Sequence, residues 1–275
     1  MALKVYEKLE QGTDEWLQAR CGIITASAIG QLIRKTAPDA VTVACPKCEA
    51  AAGDPCVSLA RKTPVPIKTI HDERTLNTYD LPPVYRLDDG LTARRLLLTL
   101  AAERITQHVE RIFPSRDMER GTLDEPYARA AYADAHKVTV QEIGFMVEDK
   151  WGFKLGYSPD GLVADDGLIE IKSRKPHVQV ATVLEDEPPA ENVAQIQTGL
   201  LVSGRSWLDY VSYAGGMHLY DTRILPDPAW QEALVSIGKE ADALIEDIVS
   251  TYLKRIEGRP LTERIDHFPE MEITF

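Results

Sequence analysis

Asp160, Glu170 and Lys172 stand close together in "GYSPDGLVADDGLIEIKSRKP", Gly156 to Pro176. Side chains alternate along a strand, so Glu170 and Lys172 share a face while Ile169 and Ile171 point the other way, into a core. Asp160 lies ten residues before Glu170, on the preceding strand. A turn at Asp165-Asp166-Gly167 folds it alongside. Two carboxylates so placed form an open oxygen-donor site. Such a site suits Mg²⁺, which accepts one or two protein carboxylates and keeps waters for a substrate phosphate. The cation polarises a phosphoryl oxygen and acidifies a bound water. Lys172 can orient or deprotonate that water and offset developing negative charge. The spacing therefore suits phosphodiester hydrolysis. It equally describes a surface hairpin in which Glu170 pairs with Lys172.

A second constellation is Cys45-x2-Cys48-x7-Cys56-x14-His71. Three cysteines and a histidine at this spacing can make a closed tetrahedral zinc site, structural because no position stays open. The same residues could be free thiols in a loop. An insert this poor in apolar residues needs a crosslink to be ordered. Lys47, Arg61, Lys62, Lys68 and Arg74 in or beside it are candidate phosphate contacts, opposed by Glu49, Asp54, Asp72 and Glu73. Cys21 reads as a small buried residue and no ligand.

The elements that must position these groups follow an α/β pattern. Thr13 or Asp14 caps a helix carrying Trp16 and Leu17, and "TAS" at Thr25–Ser27 caps a second running through Ile29, Leu32 and Ile33. From Gly90 the pattern is helical, with Leu91, Leu97, Leu98, Ala101, Ile105 and Val109 on one side. Asp124–Ala135 predicts a helix with Pro126 in its first turn. Successive strands run from Val138 to Ser173. "NVAQIQTGLLVSG" is a helix ended by Gly204, "WLDYVSYAGG" a strand. Ala229 to Ile256 is a long amphipathic helix with Leu234, Ile237, Ala241, Leu244, Ile248, Tyr252 and Ile256 facing in.

With 275 residues, 44% hydrophobic and 27% charged, the chain can bury a real core. No run is long enough for a membrane span, and the N-terminus lacks an apolar signal core, which predicts an intracellular protein in the cytoplasm. The net charge of −12 argues against a nucleic-acid partner, but it is uneven. Leu225–Phe275 supplies half of it, while Leu91–Ile112 holds Arg94, Arg95, Arg104 and Arg111 against Glu103 and Glu110. An acidic outside and a basic inner surface can coexist. Trp16, Trp151, Trp207 and Trp230 read as core residues, and His108, His136, His177 and His218 show no partner pattern. No Gly-rich phosphate loop supports ATP-driven work.

The segments "WLQARCGIITAS", "RGTLDEPYARAAY", "GYSPDGLV…GLIEIKS" and "NVAQIQTGLLVSG…WLDYVSY" together resemble the lambda-exonuclease-like (YqaJ) viral recombinase family, across most of residues 11 to 213 apart from the insert. The resemblance implies a restriction-endonuclease-like core, a mixed central β-sheet flanked by helices, over residues 1–40 and 77–275, with a zinc-binding insert at 41–76. It implies that Asp160, Glu170 and the Ile171 carbonyl hold Mg²⁺ or Mn²⁺, that Lys172 acts on the water and that Glu125 is an accessory carboxylate. By composition alone Glu125 is a first-turn acid favoured by the helix dipole. The resemblance assigns Arg20, Ser27, Ser158 and Gln195 to a terminal 5′-phosphate; taken singly, Ser27 reads as an N-cap and Gln195 as a solvated residue. "CPKC", "GDPC" and "HDER" are similar to a zinc element of phages infecting actinobacteria. The family implies a ring-shaped homotrimer that threads duplex DNA, degrades one strand from its 5′ end and works beside a single-strand annealing protein. A non-catalytic zinc-containing DNA-end-binding adaptor and a structure-specific endonuclease are the alternatives. Related nucleases with an iron–sulfur cluster place three cysteines after the nuclease motif; here all four precede Asp160.

Overall fold

The computed structural model describes residues 3–60, 63–110 and 114–265. The chain opens with strand β1 (Lys4–Tyr6) and helix α1 (Asp14–Arg20), whose start is fixed by the Thr13 hydroxyl accepting the Trp16 N–H. β2 (Ile24–Thr25) leads into α2 (Ala26–Ile29), a 3-10 turn and β3 (Ile33–Thr36). α3 (Asp72–Leu76), β4 (Val84–Leu87), α4 (Leu91–Thr106) and α5 (Arg116–His136) follow. Next come β5 (Val140–Gln141), β6 (Phe145–Glu148), β7 (Leu155–Tyr157), β8 (Gly161–Val163) and β9 (Gly167–Ser173). The chain continues through α6 (Pro176–Glu185), α7 (Ala190–Ser203), β10 (Trp207–Tyr213), β11 (Tyr220–Ile224) and α8 (Pro228–Arg255). No helix among the described residues is long and apolar enough to cross a membrane.

The strands form a five-stranded sheet in the order β11-β10-β9-β8-β5, a four-stranded sheet β1-β6-β7-β2 and a ribbon β3-β4. The five-stranded sheet is mixed: β9 and β10 are parallel and their neighbours antiparallel. The parallel pair needs a long crossover, which α6 and α7 supply. α5 covers one face, with Ala128 and Tyr132 against Val163, Ile169, Ile171 and Val211. The larger core lies on the other face, where α7 contributes Ile196 and Leu200 and α8 contributes Leu234, Ile237, Ala241 and Ile245.

Several expectations change. The "TAS" helix is a single turn, Thr25 gives no side-chain cap, and Ile33 opens β3. α5 begins at Arg116, where the Ser115 hydroxyl caps it, so Pro126 lies inside the helix rather than in its first turn. On α4, Leu97 and Ala101 are buried but Leu91 is 87% exposed and Leu98 is also exposed. On α8, Leu244 and Tyr252 are exposed and Ile245 is buried in their place. Asp160 falls in the break between β7 and β8, next to Pro159, which has no N–H for a ladder. β1, β3, β4, α6 and β11 carried too little periodicity to be expected. The candidate phosphate contacts Arg61 and Lys62, and Arg111 of the basic stretch, lie outside the described residues.

Candidate active site and zinc cluster

Parallel pairing puts Glu170 beside Tyr210 and Lys172 beside Ser212 in mid-sheet. Alternation sends Ile169 and Ile171 into the α5 core and leaves Glu170 and Lys172 facing α7. Glu170 is 1% exposed, and its carboxylate is fully engaged. Oε1 accepts from Lys172 Nζ at 2.7 Å and from Gln195 Nε2 at 2.6 Å. Oε2 accepts from the Tyr157 hydroxyl at 3.2 Å. Lys172 also donates to Gln195 Oε1 at 3.1 Å. Tyr157 is pressed into place by α7: a Cβ on Gly199 would stand 2.7 Å from its Cζ, so only glycine lets helix and ring approach this closely.

Asp160 Oδ2 accepts the Ile171 N–H at 2.6 Å, which pins the β7–β8 break against β9. Burial, then the charges of Glu170 and Glu125, hold Asp160 well above the usual carboxylate range, against the pull of Lys172 and the Ile171 N–H. Glu125 lies one turn before Arg129 on α5 and pairs with it. Its pKa is raised by burial, with Arg129 opposing and Glu142 and Glu170 adding to the rise. Burial works against the charge on Lys172, but Glu170 and Asp160 outweigh it and its pKa is raised. Lys172 therefore stays a cation at neutral pH. A buried Glu170 with Asp160 and Glu125 beside it, both of the latter raised by burial and by neighbouring carboxylates, is a donor set that a divalent cation would relieve. Asp160, Glu170 and the Ile171 carbonyl are the residues that can hold one.

The four residues matched to a terminal phosphate do not form one cluster. Arg20 lies over the Trp16 ring, 3.8 Å from its centroid, and donates at 3.4 Å to both Thr25 Oγ1 and Ser27 Oγ. Burial lowers its pKa to about 10, against Glu103, so the guanidinium remains charged. Ser158 joins this group through Trp16, whose indole N–H donates to Ser158 Oγ at 3.1 Å. Gln195 instead belongs to the Glu170–Lys172 network. Trp16, expected only in the core, therefore organises this corner; the signal was its position four residues before Arg20 on one helix. Tyr157 and Arg129 were also unforeseen as site residues. Arg129 had a local signal, its spacing from Glu125, whereas Tyr157 had none.

In the cysteine segment, the ligand atoms of Cys45, Cys48, Cys56 and His71 all lie within 4.8 Å of one another. It is the tight group of potential metal ligands found among the described residues; at the β9 site Glu170 and Glu125 are held by other side chains and the Asp160 carboxylate by the Ile171 N–H. Cys45 Sγ is 3.5 Å from His71 Nδ1. The Cys48 thiol is lowered to about 7, first by the Val57 backbone N–H, which favours the thiolate a zinc ion needs. This donor set fits tetrahedral zinc.

Arg74 corrects an expectation. It is 0% exposed and meets no solvent. Its guanidinium donates to the carbonyls of Val43, Asp54, Val41 and Ala51 and approaches Cys56 Sγ at 3.5 Å. It knits the segment together and is not free for phosphate. Lys47 is paired with Glu73 at 2.9 Å. Lys68 is exposed. Cys21 is half-buried, with its thiol donating to the Glu103 carbonyl, away from the cluster.

Both parts of the chain are similar to known proteins. Residues 89–206 match the YqaJ-like viral recombinase domain. Residues 13–85 match a family described as "Putative DNA-binding phage zinc finger domain". Among solved structures, the alkaline exonuclease LHK-Exo from Laribacter hongkongensis is similar, with a TM-score of 0.63 and 26% identity over 88% of this chain and 97% of that one. Its complex with dAMP gives a TM-score of 0.64 and 25% identity over the same shares of each chain. No curated protein matches the chain.

Proposed function

We propose that this chain, with a YqaJ-like viral recombinase domain over residues 89–206 and a likeness to an alkaline exonuclease, is a metal-dependent DNA exonuclease of phage recombination. The observation that carries the reading is the buried Glu170 carboxylate, held by Lys172 and Gln195 beside Asp160. Asp160, Glu170 and the Ile171 carbonyl hold Mg²⁺ or Mn²⁺, which when bound supplies Lewis-acid charge and a more acidic water. Lys172, kept protonated, orients the attacking water and offsets charge building on the phosphoryl oxygens, rather than acting as the base. Glu125 is the accessory carboxylate at the helix edge. Arg20, Ser27 and Ser158 receive the terminal 5′-phosphate; the Arg20 fork is stiffened by Trp16. Gln195 keeps Glu170 and Lys172 in register and reaches the same phosphate from α7.

On this reading residues 1–40 and 77–275 form the nuclease core and 41–76 a zinc-stabilised insert. The enzyme works 5′ to 3′ on duplex ends, as a homotrimer in the bacterial cytoplasm, beside a single-strand annealing protein. The test is digestion of linear duplex bearing 5′-phosphate or 5′-hydroxyl ends, with Mg²⁺ or EDTA, by wild type and Lys172→Ala. The expected result is nucleotide release from phosphorylated ends that needs Mg²⁺ and falls at least 100-fold in the variant. End binding without hydrolysis under any divalent metal would replace the exonuclease by an adaptor. Cutting of closed circles would replace it by an endonuclease.

A further inference from the structure

Arg129 is only 13% exposed, yet its guanidinium serves three separate segments. Nε donates to the Asp160 carbonyl at 2.9 Å. Nη2 donates to Glu125 Oε1. Nη1 lies 3.0 Å from Glu142 Oε2, just beyond β5. Two of these partners are site residues, and they come from different elements: Glu125 from α5, Asp160 from the break between β7 and β8. The Glu142 contact, on a side chain 69% exposed, is worth little by itself. The two part-buried contacts, to Glu125 and to the Asp160 carbonyl, carry the argument.

A guanidinium is planar, and its donors leave in fixed directions. One rigid group bonded to both Glu125 and the Asp160 backbone therefore sets the distance between them. Asp160 is then held from both ends, its carbonyl by Arg129 and its carboxylate by the Ile171 N–H. Glu125 has a second constraint as well. Without the arginine it would face Glu142, Glu170 and Asp160 with no cation of its own, and would turn to solvent.

We infer that Arg129 is a positioning residue that fixes Glu125 and Asp160 relative to each other and so shapes the cation site; this rests on the metal-site reading above. Arg129, a cation itself and no metal donor, acts through Glu125 and Asp160. Removing a group that orients metal ligands commonly costs 10–100-fold in metal affinity or activity. A lysine keeps the charge but reaches one partner at a time.

The experiment uses the zinc-loaded full chain and compares wild type, Arg129→Lys and Arg129→Met. Mn²⁺ affinity is measured by calorimetry without DNA, alongside thermal midpoint and the kcat and KM for linear duplex. The expected result is a Kd for Mn²⁺ raised about tenfold or more in the methionine variant, with kcat lowered 10–100-fold and KM for DNA unchanged. The lysine variant falls between. A folded Arg129→Met that binds Mn²⁺ as wild type does overturns the inference. If the methionine variant does not fold, a folded Arg129→Lys with wild-type Mn²⁺ affinity overturns it equally. Arg129-dependent Mn²⁺ binding in a wild-type protein that hydrolyses no DNA would keep the clamp and remove the exonuclease reading.

Discussion

Asp160 carries the sharpest conflict at the scale of single residues. It borders Glu170 and Glu125, and desolvation first, then their charges, hold its pKa well above the ordinary carboxylate value. A carboxylate raised in the folded state binds more protons there than in the unfolded chain. Stability is therefore lost as pH rises through the folded pKa, and is intact below the unfolded one. Without divalent metal, Asp160→Asn should thus raise the thermal midpoint at neutral pH, by about 2 °C for a chain of this size, while abolishing hydrolysis. The gain should shrink as pH falls and the wild-type carboxyl takes up its proton. Calorimetry in EDTA decides it; a lower midpoint in the variant at neutral pH would remove the argument. Hydrolysis has the opposite sign of dependence, since the carboxylates must ionise to hold a cation. Activity should fall on the acid side at a pH above the usual carboxylate range.

Among elements, the cysteine segment depends on Arg74 as much as on its thiols. Four carbonyls, those of Val41, Val43, Ala51 and Asp54, accept from one buried guanidinium. Leaving them unsatisfied costs about 1 kcal/mol or more each, so Arg74→Met should cost the segment roughly 4 kcal/mol. The variant should lose zinc to a chelator far faster than wild type and become open to proteolysis between β3 and β4. Zinc retention measured with a chromophoric chelator checks this, and wild-type retention would refute it. The β3-β4 ribbon that brackets the segment presents Arg34 opposite Arg86. The spacing of cysteines was legible in residue order; the arginine hub was not, since its partners lie 18 to 33 residues away.

For the molecule as a whole, the question is how a chain of net charge −12 handles DNA. Part of the acid on α8 is already spent: Arg104 of α4 pairs with Asp242 at 2.5 Å and Glu246 at 2.6 Å. The rest of α8 is amphipathic, with its inner stripe in the large core. That leaves Glu232, Glu240 and Asp247 of α8 outward, the side the proposed homotrimer would keep away from DNA. Sedimentation under conditions of activity should give a trimer, and DNA binding should weaken steeply with salt. A monomer at full activity would exclude the ring.

Residue order alone dictated what depends on near neighbours. Alternation placed Glu170 and Lys172 on one face of β9 and Ile169 and Ile171 on the other, as found. Ligand spacing gathered Cys45, Cys48, Cys56 and His71, and caps and glycine stops delimited α1 and α7. Tertiary structure decided what depends on distant partners. Trp16 meets Ser158 and Tyr157 meets Glu170 only because β7, β9, α1 and α7 pack together. Arg74 looked like a surface cation until burial made it a hub, and Gln195, a solvated residue by its sequence alone, bonds the Glu170 carboxylate. The physical reason is common to all of these. Periodicity and ligand spacing are properties of a short stretch of chain, whereas burial and hydrogen-bond partners are settled by whichever distant surface closes over the residue.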